Sequence, residues 1–292
     1  MLAGGPKPDN RPVAKTPWQQ RIRRAEHLAV KLPYAAEILG FYTQVARFQE
    51  DLYGRIERSA GVSPAVPSAD SGHAEWGSRP LPGQQEGGAA NAELVASLPG
   101  FLRVVEDHGP VRLCQVAREL RNADPSAWSE LLNAVWSTTR PPSEPEEFLA
   151  LAFLQPYAEC VRTRAGMRAE GYTHPLCPLC NRKPALGVLR QEGDGGRRSL
   201  LCGFCVTEWE YRRVVCPGCG EEDHAKLPVY TADELPYVRV ECCDTCKSYI
   251  KSIDFTKNGL ADPMVDELAS IPLSLWADEH GYAKLHPNLL GM

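Results

Sequence analysis

The sequence lacks long apolar runs and any excess of positive charge. No stretch approaches the length of about 18 apolar residues that marks a membrane-spanning helix, which argues against an integral membrane protein. The 32 Lys and Arg residues are outnumbered by 37 Asp and Glu residues, giving a formal net charge of −5. That balance argues against a nucleic-acid partner, because such proteins usually carry positive charge. Hydrophobic residues make up 43% of the chain, which is more than a disordered protein would have.

The sequence also lacks a recognisable secretory signal and a recognisable catalytic motif. Residues 1–16 contain three prolines and no apolar stretch, so they do not resemble a secretory signal, and we expect a cytoplasmic protein. No nucleophile–base set and no phosphate-binding loop is visible along the chain, so we do not expect an enzyme. The most informative residues are the cysteines, which are concentrated in one part of the sequence.

The hydrophobic pattern divides the chain into parts. Residues 1–16 are predicted to form a flexible tail, and residues 17–170 place apolar side chains at helical spacing, which predicts an α-helical domain. Inside it, residues 60–90 contain six Gly, four Pro and four Ser, a composition typical of a flexible linker. Residues 257–292 are predicted to form a helical tail, in which Leu275 and Trp276 fix the junction between the two halves.

Cysteine is concentrated in the remaining part. Nine of the eleven cysteines lie between Cys177 and Cys246, and eight of these form four C-x-x-C pairs. The pairs are Cys177–Cys180, Cys202–Cys205, Cys216–Cys219 and Cys243–Cys246. The first and third pairs both read C-P-x-C and start 39 residues apart, which indicates an internal repeat. In a cytosolic chain such pairs are typical of metal ligands rather than disulfides.

The spacing has a physical reason. A C-x-x-C turn lets two sulfur atoms reach one ion, and the residue after the second cysteine tolerates left-handed backbone when it is small or polar, as Asn181 and Gly220 are. Two such turns joined by a hairpin supply four thiolates in a tetrahedron. Pairing within each repeat closes the shorter loops. Cys242 breaks the two-residue gap to Cys246, so we interpret it as a neighbour and not a ligand.

These observations predict an α+β protein, with an α-helical N-terminal domain followed by two tandem rubredoxin-like or zinc-ribbon modules. The modules span residues 171–212 and 213–256, and each holds one metal ion on four cysteines. Four thiolates suit zinc and a single iron ion about equally, so the ligand set leaves the metal open. A thioredoxin-like redox function is disfavoured, since no βαβ context surrounds any pair.

The charge of the cysteine-rich half bears on its partners. Residues 177–255 contain 11 basic and 12 acidic side chains. Each site of four thiolates and one divalent ion adds a charge of about −2. The surface formed by residues 177–255 is therefore predicted not to bind nucleic acid.

The motifs together resemble the formate dehydrogenase accessory protein (FdhE) family. The resemblance rests on the helical first half, the four C-x-x-C pairs in two repeats, and the ending Leu275-Trp276-Ala277-Asp278-Glu279-His280-Gly281-Tyr282 with His286-Pro287-Asn288 after it. It implies a cytoplasmic accessory factor that contacts the catalytic subunit of formate dehydrogenase during its maturation. It also implies iron, in rubredoxin-like sites formed by the eight paired cysteines, with zinc as the alternative.

Two other functions remain open at this point. A zinc-ribbon protein that binds nucleic acid would show a salt-dependent gel shift, although the acidic balance opposes it. A rubredoxin-like electron-transfer protein would show a reversible redox couple.

Overall fold

The computed structural model describes residues 16–58, 89–137, 144–165, 171–193 and 195–287. The predicted tail lies outside these ranges except for Thr16. The predicted linker at 60–90 also lies outside them, except that its last two residues already belong to a helix. The division of the chain into separate domains stays a prediction.

The first half is helical, as predicted. Its helices are α1 (Pro17–Lys31), α2 (Ala36–Arg58), α3 (Ala89–His108), α4 (Val111–Arg121), α5 (Pro125–Ser137) and α6 (Glu144–Ala165). Thr16 caps α1 by accepting a hydrogen bond from the backbone N–H of Gln19 at 3.2 Å. The predicted break at Pro33 is a single 3₁₀ turn between α1 and α2, whereas Pro99 lies inside α3 without ending it.

Aromatic side chains join these helices. The Phe101 ring of α3 lies 5.5 Å from the ring of Phe48 in α2 and 5.8 Å from the ring of Phe153 in α6. Phe101 and Phe153 are fully buried. The helices therefore share one core, which large apolar side chains stabilise.

The cysteine-rich half forms one seven-stranded sheet. Its strands are β1 (Leu186–Glu192), β2 (Gly195–Leu201), β3 (Glu208–Glu210), β4 (Val229–Tyr230), β5 (Val238–Cys243), β6 (Ser248–Asp254) and β7 (Ala283–Lys284). The strand order is β3-β2-β1-β6-β5-β4, and β7 pairs with one end of β6. Strands β1–β3 and β4–β6 are two antiparallel meanders, one from each repeat.

A parallel pair joins the two meanders. Strands β1 and β6 pair over four residues, from Leu186 opposite Lys251 to Leu189 opposite Asp254. The two modules are thus continuous through the centre of the sheet. The fold class is α+β with two ribbon-like modules, which confirms the prediction.

A short helix connects the helical half to the sheet. Helix α7 (Pro263–Ala269) contacts α1 and α2 on one side and β1 and β6 on the other. It is followed by α8 (Ile271–Glu279), which lies against β7. The predicted tail does reach the junction, but not through Leu275, which is 58% exposed, and Trp276 packs instead on Tyr230 of β4. The junction is made by α7, because its residues are buried on both sides.

Within the described ranges, no helix combines the length and the apolar character that crossing a bilayer requires.

Candidate metal centres

Each of the four C-x-x-C pairs ends in a tight turn. The residue after the second cysteine has positive φ in every case, and these residues are Asn181 (58°), Val206 (55°), Gly220 (79°) and Lys247 (54°). The left-handed backbone predicted at Asn181 and Gly220 is confirmed. It turns the chain back so that the N–H of Gly220 donates to the carbonyl of Cys216 at 2.9 Å. The second sulfur of each pair is thereby brought beside the first.

The turns assemble two groups of four sulfurs. One contains Cys177, Cys180, Cys202 and Cys205, and the other contains Cys216, Cys219, Cys243 and Cys246. All Sγ atoms of a group lie within 4.8 Å of one another. Each group comes from a single repeat, so the pairs are not exchanged between repeats.

The distances fit a shared ion. Sγ–Sγ contacts measure 3.4–3.6 Å in the first group and 3.7 Å in the second. A disulfide would require about 2.05 Å, so the thiols are free. A tetrahedral ion with sulfur ligands at about 2.3 Å has sulfurs about 3.8 Å apart. The donor set and its spacing therefore fit a tetrahedral metal ion.

The two groups differ in exposure. All four cysteines of the first group are buried, with at most 4% of their surface accessible. In the second group Cys216 and Cys243 are buried, but Cys219 and Cys246 are exposed. Repeats of one sequence module thus give one enclosed site and one half-open site.

Helices enclose the first group. The ring of Trp136 in α5 packs edge-on against Phe204, which lies between Cys202 and Cys205, with 5.8 Å between the centroids. The amide of Gln155 in α6 donates to the carbonyl of Gly203 at 2.9 Å.

Burial also controls the ionisation of the thiols. It raises the pKa of Cys177 and Cys180 well above the usual value of a thiol. Four thiolates in this interior therefore need a cation to balance them. At Cys246 burial acts in the same direction, but hydrogen bonds from Ser248 and the neighbouring thiols outweigh it and lower the pKa to about 7.

A hydroxyl group contacts one sulfur in each group. The Oγ1 atom of Thr207 lies 3.1 Å from Sγ of Cys205, and Oγ of Ser248 lies 3.0 Å from Sγ of Cys246. Both hydroxyls stand two residues after the last cysteine of their repeat. A hydroxyl donates to a thiolate, which spreads the negative charge of the site. The shared Ser or Thr at this offset was available in the sequence as a signal.

The other cysteines and the histidines stand apart. Cys242 belongs to β5 but is outside both sulfur groups, which agrees with its interpretation as a neighbour. Cys114 and Cys160 lie in helices far from both groups in sequence. Among the described residues neither His174 nor His224 joins a candidate metal group, and both are exposed.

Comparison with known proteins shows which proteins this chain is similar to. Residues 176–213 match the family model described as FdhE, central domain, and residues 214–290 match that described as FdhE, C-terminal domain. A relative from Aquifex aeolicus, Protein FdhE homolog, is 28% identical over 276 residues, or 92% of this chain and 94% of the relative. The chain is thus similar to FdhE proteins, and its residues 176–290 match the two FdhE family models.

Two further FdhE homologues are similar in sequence to this chain over different lengths. Protein FdhE homolog of Pseudomonas aeruginosa is 35% identical over 130 residues, which are 43% of this chain and 42% of that protein. Protein FdhE homolog of Proteus mirabilis is 26% identical over 96% of this chain and 89% of its own length.

A crystal structure of the FdhE protein from Pseudomonas aeruginosa has the same fold. Its TM-score is 0.64 at 24% identity, with 94% of this chain and 95% of that chain covered. The helical half and the sheet are thus arranged as in that FdhE protein.

Proposed function

We propose that each sulfur group of this protein holds one metal ion. The ligands are Cys177, Cys180, Cys202 and Cys205 in the first centre and Cys216, Cys219, Cys243 and Cys246 in the second. The single observation that carries the proposal is that the structure brings four cysteine sulfurs within 4.8 Å of one another in each repeat. Iron is favoured by the resemblance to rubredoxin-like sites, and zinc is the alternative.

A bound ion would supply four metal–sulfur bonds that cross-link the two turns of each repeat. Residues of the chain itself position the sulfurs and shield them from water. The turns hold the sulfurs in place, the hydroxyls of Thr207 and Ser248 bond to the thiolates, and α5 and α6 exclude water from the first centre.

We further propose that the protein is an accessory factor for the maturation of active formate dehydrogenase. It acts by binding the catalytic subunit of that enzyme in the cytoplasm, without turnover of its own. The similarity of the chain to FdhE proteins supports this role. The metal centres support it by fixing a rigid sheet that a partner can recognise.

Co-purification tests the proposed role. Tagged protein from anaerobically grown cells is expected to recover the catalytic subunit of a formate dehydrogenase, and deletion of the gene is expected to abolish formate oxidation. Cys243→Ser is expected to weaken recovery, whereas Cys242→Ser retains it. If the parent recovers no such subunit and deletion leaves formate oxidation unchanged, the accessory role is wrong.

Metal analysis with a spectrum tests the choice of ion. Protein purified without oxygen and then exposed to air is expected to turn red, because thiolate-to-ferric charge transfer absorbs visible light. Two zinc ions per chain and a colourless solution from the native host would contradict iron.

A second candidate function is electron transfer. The observation that favours it is the exposure of Cys219 and Cys246, because an electron-transfer centre must lie near the surface. A reversible couple assigned to the second centre, together with turnover by a reductase, would support this function over the accessory role.

A further inference from the structure

A cavity of about 340 Å³ lies beside the second sulfur group. Cys216, Cys243 and Ser248 form part of its wall, and other parts come from β2, β4 and β5. The volume falls at the lower end of the range of about 300–1,000 Å³ found for small-molecule sites. The cavity is therefore large enough for a ligand, and it borders two of the four cysteines of the second sulfur group.

Arg198 of β2 supplies a buried cationic group to this cavity. Only 3% of the residue is exposed. Its guanidinium donates to the carbonyls of Arg212 and Val215 at 3.1 and 3.3 Å and pairs with Glu241 at 2.7 Å. Its Nε–H, however, is buried and has no hydrogen-bond partner among the described residues. A buried donor is unfavourable when it is unpaired, so an acceptor atom of a ligand would stabilise it.

Two more arginines line the same cavity. Within the described part of the chain, Arg213 and Arg239 take part in no ion pair or side-chain hydrogen bond. Glu241 is the one carboxylate among the lining residues, and Arg198 already pairs with it. Two guanidinium charges therefore remain available, and guanidinium groups bind carboxylate and phosphate in a two-pronged manner.

Another part of the wall is apolar, although His224 and Ser248 also line the cavity. Val214 and Val229 are 49% and 44% exposed, and both border the cavity, as does the buried Ile250. Exposed valines beside unpaired arginines fit a ligand that has both an apolar body and a charged end.

We propose that this cavity binds an oxyanion, a carboxylate or a phosphate, that is attached to an apolar group. The anion occupies the space faced by Arg198, Arg213 and Arg239, and the apolar group lies against Val214 and Val229. The anion comes either from a free small molecule or from the end of a polypeptide. The proposal does not depend on the role in formate dehydrogenase maturation.

The competing explanation is that the arginines only balance the negative charge of the second metal centre. The two explanations predict different losses in an Arg213→Gln/Arg239→Gln variant. If the cavity binds an anion, the variant keeps its metal content and loses ligand binding. If the arginines serve the thiolates, the variant loses metal.

Calorimetric titration of the metal-loaded full chain tests the site with three probes. Phenyl phosphate and phenylacetate are expected to bind and to raise the melting temperature, whereas the neutral analogue phenylacetamide is not. The Arg213→Gln/Arg239→Gln variant is expected to bind at least tenfold more weakly. The matched control Arg197→Gln/Arg212→Gln removes the same charge outside the cavity and is expected to bind like the parent.

A peptide distinguishes the two sources of the anion. Tighter binding of N-acetyl-Gly-Phe with a free carboxylate than of phenylacetate indicates a polypeptide end, and the reverse order indicates a small molecule. Either order supports the proposal. Equal binding of phenylacetamide and phenylacetate, unchanged affinity in the cavity variant, loss of metal from it, or no binding of any probe at millimolar concentration overturns it.

Discussion

Arg24 of the first helix and Asp266 of α7 are joined by two hydrogen bonds of 2.9 and 2.5 Å, although 242 residues separate them in sequence. The hydroxyl of Tyr237, which precedes β5, donates to the same carboxylate at 2.8 Å. Asp266 is 1% exposed. The helical half and the sheet are therefore joined through one buried carboxylate.

Removing either partner of this pair is expected to destabilise the whole protein. Asp266→Asn leaves Arg24 without its counter-charge and should lower the free energy of unfolding by about 3–5 kcal/mol, as for other buried pairs. Urea unfolding followed by circular dichroism measures the change. The exposed pair Arg47–Glu26 provides the control, since Arg47→Gln should cost less than about 1 kcal/mol. Equal effects of the two substitutions would contradict the importance of this contact.

Metal content should distinguish two adjacent cysteines. The parent is expected to contain two ions per chain, Cys243→Ser one, and Cys242→Ser two, since Cys242 lies outside both sulfur groups. Metal analysis of the purified proteins gives the counts. Two ions in Cys243→Ser, or one in Cys242→Ser, would show that the ligand assignment is wrong.

The two centres should release their ions at different rates. A chelator reaches the second centre through the exposed Cys219 and Cys246, whereas the first centre is covered by α5 and α6. Release from the parent is therefore expected in two phases of one ion each. In Cys243→Ser the fast phase should be absent while the slow phase remains. A single phase that releases both ions would refute the difference in access.

The turn after the third cysteine pair should not accept a β-branched residue. Gly220 has a φ of 79°, and L-residues pay about 1–2 kcal/mol in that region. Gly220→Val should reduce stability by about that amount and weaken metal binding at the second centre. Gly259→Val is the control, because a side chain there meets no atom within 4 Å and its backbone is not left-handed. Thermal melts of both variants test the expectation.

The contribution of Lys251 to stability should rise with pH in the alkaline range. Burial lowers the pKa of this side chain to about 8, although Glu267 acts in the opposite direction and Lys284 adds to the lowering. The unfolded chain keeps the proton up to a pKa of about 10.5, so between pH 8 and 10.5 it binds more protons than the folded protein. The contribution of Lys251 to the free energy of unfolding therefore increases with pH across this window.

Lys251→Met tests this contribution. The difference between parent and variant in urea unfolding, measured at several pH values from 8 to 10.5, isolates the titration of the one side chain. As the pH rises, the free energy of unfolding of the parent should increase relative to that of Lys251→Met. A difference that is constant across the window would show that Lys251 has an ordinary pKa.

Local features of the site could be predicted from the sequence. The C-x-x-C spacing fixes which sulfurs meet, because each pair is set by a turn of a few residues. The left-handed positions at Asn181 and Gly220 follow from residue type. Val206 and Lys247 could not be found in this way, since neither residue type favours positive φ. There the geometry of the turn overrides the preference of the side chain.

Contacts between distant segments could not be predicted. The parallel pairing of β1 with β6 joins residues more than 60 positions apart, and a strand pattern states only that a segment pairs, not with which partner. The burial of Arg198 of the first module against the second module could not be predicted either, because its partner Glu241 lies 43 residues away. The enclosure of the first centre by α5 and α6 also depends on this tertiary arrangement.

The central position of β6 has a consequence for how the chain is made. Helices α1–α6 and the whole first repeat are synthesised before β6, so the inner edge of β1 has no partner during that time. Asp266, which holds Arg24, is synthesised later still. The amino-terminal half therefore cannot reach its final structure as it leaves the ribosome and has to wait for residues near the other end of the chain. An early pause or truncation should leave an exposed strand edge that invites aggregation.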